Sequence, residues 1–128
     1  MSLRSPLGRV LGLGAAGEGV GHWWSQRVTA VALVLLTLWF LAALIGLGRL
    51  DYATIAAWLD SPVSAVLMVL LVVTVVYHSQ LGVQVVIEDY VSPKGARVAA
   101  LLASRFAHVL LGAVGVFAVL RVAFGGHA

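Results

Sequence analysis

Three long apolar runs dominate the chain, set apart by short polar segments. From Val28 to Gly48 no residue is charged, and about 20 residues rising ~1.5 Å each match a hydrocarbon core of roughly 30 Å. Trp23 and Trp24 stand just before this run, where amphipathic rings favour the headgroup region, and Arg27 can snorkel to the same interface. Gly46, Gly48 and Arg49 close its far end. The connector 49–61 reads as a short helix on the membrane surface, with Asp51 as its N-cap and Tyr52, Ile55, Trp58 and Leu59 on one apolar face. Asp60, Ser61 and Pro62 then signal a helix start, since proline is harmless where the N–H has no partner anyway. The second span covers about 62–87. It is apolar up to Tyr77 and then turns polar, with His78, Ser79, Gln80 and Gln84 still at membrane depth. A tight polar turn from Glu88 to Gly95 carries Pro93 and Gly95 as breakers. The third span covers about 98–124, with Arg105 and His108 interrupting its first third. The pattern predicts an all-α integral membrane fold with spans at about 28–48, 62–87 and 98–124. Residues 1–21 form a leader and 22–128 one membrane domain, because the connectors are too short to fold alone.

Composition narrows the chemistry. Only 10% of the 128 residues are charged and 62% are hydrophobic, against roughly 25% charged in an average soluble domain, so water is not the main solvent. The chain has no cysteine, which excludes disulfides, thiolate catalysis and iron–sulfur ligation by this chain, and leaves imidazole as the means of holding a metal. The net charge of +3 comes from scattered basic residues with no basic run, so no nucleic-acid surface is built. The first apolar run is too long for a cleaved signal, whose core is about 7–15 residues. Arg4, Arg9, Arg27, Lys94, Arg97 and Arg105 fall on one side of the spans, and Arg49 and Arg121 on the other. This asymmetry places the N-terminus and the Glu88–Arg97 turn in the cytoplasm and the C-terminus outside.

Ionisable groups inside a span are costly and mark a cofactor, a pathway or a partner contact. His78 lies about 16 Å along the helix from Asp89, near mid-bilayer, while Asp89 and Tyr90 sit at the boundary. Positions 78, 82, 85 and 89 share one face, and Gly82 leaves that face open to a flat macrocycle. A neutral imidazole at mid-depth with a cleared neighbour suits a haem iron ligand; the alternative is a histidine bonded to a neighbouring helix. The Tyr90 phenol can donate to a quinone carbonyl and the Asp89 carboxylate can relay a proton, or Tyr90 can serve as an aromatic anchor and Asp89 as a solvated charge. His108 reaches a depth comparable to His78 on the antiparallel third helix, so an intrachain pair of axial histidines is geometrically open. Arg105, one turn away, can neutralise a haem propionate or snorkel.

The run His78, Ser79, Gln80, Leu81, Gly82, Val83, Gln84, Val85, Val86, Ile87, Glu88, Asp89, Tyr90 resembles the second helix of the small membrane-anchor subunit of bacterial succinate dehydrogenase, respiratory complex II. The stretch His22 to Val31 resembles the approach of that family's chains to their first span, and the likeness extends over about 21–124. The resemblance implies that His78 is an axial ligand of haem b, that Tyr90 contacts a quinone (ubiquinone, or menaquinone) with Asp89 beside it, and that Arg27 lies near both groups. It also implies partners: a second three-helix cytochrome b anchor supplying the other axial histidine, an iron–sulfur subunit and a flavoprotein. On this reading His108 packs or hydrogen-bonds near the haem. The chain carries no flavin or dinucleotide fingerprint, so succinate itself would be oxidised elsewhere. Two alternatives stand beside this reading. One is a quinol–fumarate reductase anchor, whose reaction direction the sequence leaves open; the other is a structural anchor without a cofactor.

Overall fold

The computed structural model describes residues 19–125. Four helices make up the described chain, and no strand is present among the described residues: α1 (Gly19–Leu47), α2 (Tyr52–Leu59), α3 (Pro62–Tyr90) and α4 (Lys94–Gly125). Helices α1, α3 and α4 are long and apolar enough to cross a membrane, and the protein is an all-α integral membrane protein. At ~1.5 Å per residue they run to about 43–48 Å, beyond the roughly 30 Å hydrocarbon core, so their ends project or tilt. That excess explains why each helix outruns its expected span. Gly19–Gly21, expected in the leader, open α1, whereas Arg4 and Arg9 lie outside the described residues.

The ends of these helices follow local chemistry. Gly48 adopts φ 66° just past α1, the left-handed conformation that ends helices and that only glycine takes freely. Asp51 caps α2 as expected: its Oδ1 accepts from the Thr54 N–H and from Thr54 Oγ1, both at 2.9 Å. The Thr54 backbone bond, first of all, holds this carboxyl below the ordinary value of 3.8. The cap therefore supports α2 fully above that value, and its contribution is lost as the pH falls through the lowered one. Pro62 starts α3, with Ser61 at the N-cap position making no side-chain bond.

The expected polar turn from Glu88 to Gly95 is shorter in the structure. Glu88, Asp89 and Tyr90 finish α3, and Gly95 lies in the first turn of α4. Only Val91–Pro93 connect the two helices, because Arg97 serves both of them. Its Nε donates to the Val91 carbonyl at 2.8 Å and its N–H to the Pro93 carbonyl at 2.9 Å.

Helix α3 is central, packing against α1 on one side and α4 on another. The densest packing lies at the α2 end, where Leu59, Ala65, Val119 and Ala123 are buried among Ile55, Trp58, Met68 and Val72. Trp58 stacks on Trp39 at 5.6 Å and meets Phe40 at 6.4 Å, joining α2 to α1; Tyr52, expected on the same apolar face, is exposed. Along the α3–α4 seam, a Cβ on Gly115 would stand 2.7 Å from Val72 Cγ1, whereas one on Gly112 would meet Val76 Cγ1 at an ordinary 3.5 Å. Valine in a helix holds one rotamer, so Val72 cannot swing clear. Gly115→Leu should therefore destabilise the chain by about 1–3 kcal/mol through overpacking. Gly112→Ala should be neutral or gain up to about 1 kcal/mol of helix propensity. Thermal unfolding of the two variants in detergent checks the contrast, and equal effects would contradict the seam.

Candidate functional site

Successive residues of a helix are turned by about 100°, so the polar residues that begin at Tyr77 cannot share one face. The structure divides them between the two neighbours of α3. His78 turns to α1, where its Nδ1 lies 2.9 Å from Thr29 Oγ1 and its Nε2 lies 3.4 Å from Gln26 Nε2. Gly82 opens on the same place, since the atom nearest a Cβ built there is again Gln26 Nε2, at 3.9 Å. His78, Gly82 and Gln26 thus meet at one point of the α1–α3 seam, just past the middle of α3 and within the first third of α1.

Ser79, one position on, turns to α4, where its hydroxyl meets His108 Nε2 at 3.2 Å. The His108 Nδ1–H donates to the Ser104 carbonyl at 2.7 Å. A carbonyl only accepts, so Nδ1 carries the proton and Nε2 accepts from Ser79. His78 and His108 do reach one level, as the sequence suggests, but the two rings engage different helices.

Between α1 and α4, over α3, lies a groove of about 1250 Å³. Gln80, Gln84 and Glu88 form a ladder along its floor, Gln80 donating to Gln84 at 3.4 Å and Gln84 to Glu88 at 2.9 Å. Arg105 and His108 line its α4 wall, His22 and Ser25 its α1 wall. Two buried polar atoms at this end, His22 Nε2 and Gln26 Oε1, have no hydrogen-bond partner among the described residues. Such atoms cost about 1–3 kcal/mol each unless a further group meets them.

The remaining candidates lie apart from the groove. Arg27 is exposed, with its guanidinium 5.4 Å from the Trp23 ring centre, a cation–π contact that suits an interfacial anchor. Asp89 and Tyr90 end α3 with both side chains exposed, Tyr90 at 82%. No three His, Cys, Asp or Glu side chains converge among the described residues, so the described chain assembles no site for a bare metal ion. Sequence reasoning passed over Thr29, Gln26 and His22. Thr29 sits inside an apolar run like any β-branched filler, and only its pairing with α3 marks it out.

Residues 1–119 match the family described as succinate dehydrogenase/fumarate reductase transmembrane subunit. The chain belongs to this family. Among relatives, it is 35% identical over 107 residues to a succinate dehydrogenase hydrophobic membrane anchor subunit of Rickettsia bellii (strain RML369-C), covering 84% of this chain and 86% of the relative. A subunit of the same description from Paracoccus denitrificans is 32% identical over 114 residues, 89% of this chain and 88% of its own. Another, from Rickettsia conorii (strain ATCC VR-613 / Malish 7), is 39% identical over 80 residues, 62% and 64% of the two chains. Membership in the succinate dehydrogenase/fumarate reductase transmembrane family accords with three long apolar helices and little soluble mass, and the chain is a multi-pass membrane anchor.

Proposed function

We propose that this anchor carries electrons as well as holding its complex in the membrane, with His78 as an axial ligand of haem b and Tyr90, beside Asp89, as a contact for the quinone that receives the electrons. The observation that carries the reading is the state of the two mid-depth imidazoles. His108 has both ring nitrogens engaged, one by a carbonyl and one by a hydroxyl. His78 Nε2 has only a long 3.4 Å contact with an amide whose oxygen is buried without a partner. That amide can turn away at little cost, and Gly82 keeps the neighbouring turn bare. The residues therefore fit a haem, with His78 holding the iron and Arg105 or Arg27 available to a propionate. A haem bound there would supply a one-electron carrier within the bilayer.

The chain's own groups do the rest. The exposed Tyr90 hydroxyl can donate to a quinone oxygen as that oxygen gains negative charge, and Asp89 can pass a proton from the aqueous side. A second three-helix anchor would supply the other axial histidine, and iron–sulfur and flavoprotein subunits would deliver electrons from succinate. The excess of basic residues on that side supports a cytoplasmic α3–α4 turn, where it would dock those soluble subunits, and a periplasmic C-terminus.

His78→Ala should abolish the low-spin haem spectrum of the purified complex, while His108→Ala should preserve it; the reverse result would move the iron to His108. A Cβ alone at Gly82 would keep an ordinary 3.9 Å from Gln26 Nε2, so Gly82→Ala should be tolerated, whereas Gly82→Leu should lower haem occupancy by blocking the macrocycle. Full haem content in that variant would exclude the α1–α3 seam.

Tyr90→Phe keeps the ring and removes only the hydroxyl. A lost bond to a charged acceptor is worth roughly 1.5–3 kcal/mol, or about ten- to a hundredfold in quinone reduction. Succinate oxidation read with a dye that takes electrons upstream should be unchanged. Full quinone activity in this variant would return Tyr90 to the aromatic belt.

A further inference from the structure

The Thr29 hydroxyl has one proton to give and three neighbours close enough to bond. The Ser25 carbonyl lies 2.7 Å away, the Gln26 carbonyl 3.2 Å and His78 Nδ1 2.9 Å. Carbonyl oxygens only accept, and two oxygens at 2.7 Å with no proton between them repel, so the threonine proton goes to the backbone. His78 must then be the donor: Nδ1 carries the hydrogen and Nε2 is left as a bare lone pair. The Gln26 amide agrees, presenting its NH₂ group to that lone pair at 3.4 Å.

We propose that Thr29 is a positioning residue for the iron ligand, holding the His78 ring in the one tautomer and orientation in which Nε2 is free to bind a metal. The inference rests on the haem reading above and adds to it a residue on α1. The Nδ1–H bond to Thr29 does two things. It prevents the ring from turning over or taking the opposite tautomer, in which Nε2 would be blocked by a proton. By drawing on the N–H, it also makes Nε2 a stronger electron donor, which favours ferric over ferrous iron. Gln26 would have to turn aside for a metal at Nε2, and its buried amide oxygen has no hydrogen bond among the described residues to lose in doing so.

The test uses the assembled complex, purified with its haem. Thr29→Val keeps the branched shape and removes the hydroxyl; Thr29→Ser keeps the hydroxyl. The valine variant should show an upward shift of the haem midpoint potential, altered g values of the oxidised haem, and about tenfold weaker haem retention. The serine variant should restore all three. If the valine complex does not assemble, Thr29→Ala omits the same hydroxyl without the branched bulk and is read in the same way. Unaltered potential and g values in the hydroxyl-free variant, with the low-spin spectrum lost in His78→Ala, would overturn the role of Thr29 and leave His78 as the ligand. An unaltered low-spin spectrum in His78→Ala would overturn the haem reading itself, and this inference with it.

Discussion

Inside a bilayer no water is available to satisfy a polar group, so every such group must find its partner within protein. That constraint organises this molecule around α3, the one helix that carries a run of polar residues at depth. His78 and Ser79 are turned about 100° apart, and each requires its own neighbour: α1 for the first, α4 for the second. The polar pairs fix the rotation of all three helices relative to one another. Apolar packing alone would not, since lipid tails are as apolar as leucine and the contact between helices gains little from burial.

The same constraint decides what could be read from the chain itself. The spans, the Asp51 cap and the break at Pro62 are signalled by residues whose effect is local, and each stands where the pattern predicts, apart from ends that run past the hydrocarbon boundary. The turn after α3 was harder to read. Glu88, Asp89 and Pro93 look like loop residues, but an exposed helix end tolerates charges, and Arg97 ties Val91 and Pro93 into a short connection. The depth shared by His78 and His108 was also legible, from counting residues on antiparallel helices. Their directions were not, because rotation about a helix axis depends on which neighbour satisfies which group. For that reason Thr29, Gln26 and the groove stayed invisible, although every one of their residues is plain in the sequence.

Stability and chemistry occupy opposite ends of the bundle. At the α2 end, a cluster built on Leu59, Ala65, Val119 and Ala123 closes tightly, with aromatic stacking of Trp58 on Trp39. At the other end a groove stays open between α1 and α4. Local rules of packing and polar satisfaction are obeyed at the first end and broken at the second, and such breaks concentrate where a protein functions.

The breaks are also specific in kind. A loosely packed helix end with only apolar walls would be filled by lipid. Here the walls carry two imidazoles, a guanidinium and a ladder of amides, and two buried polar atoms have no hydrogen-bond partner among the described residues. Acyl chains cannot satisfy these groups, and leaving them bare would cost several kcal/mol against a total stability of only about 5–15. His22 and Gln26 flank the interfacial Trp23 and Trp24, so a neighbour that brings polar atoms to this level of the bundle satisfies them where acyl chains do not.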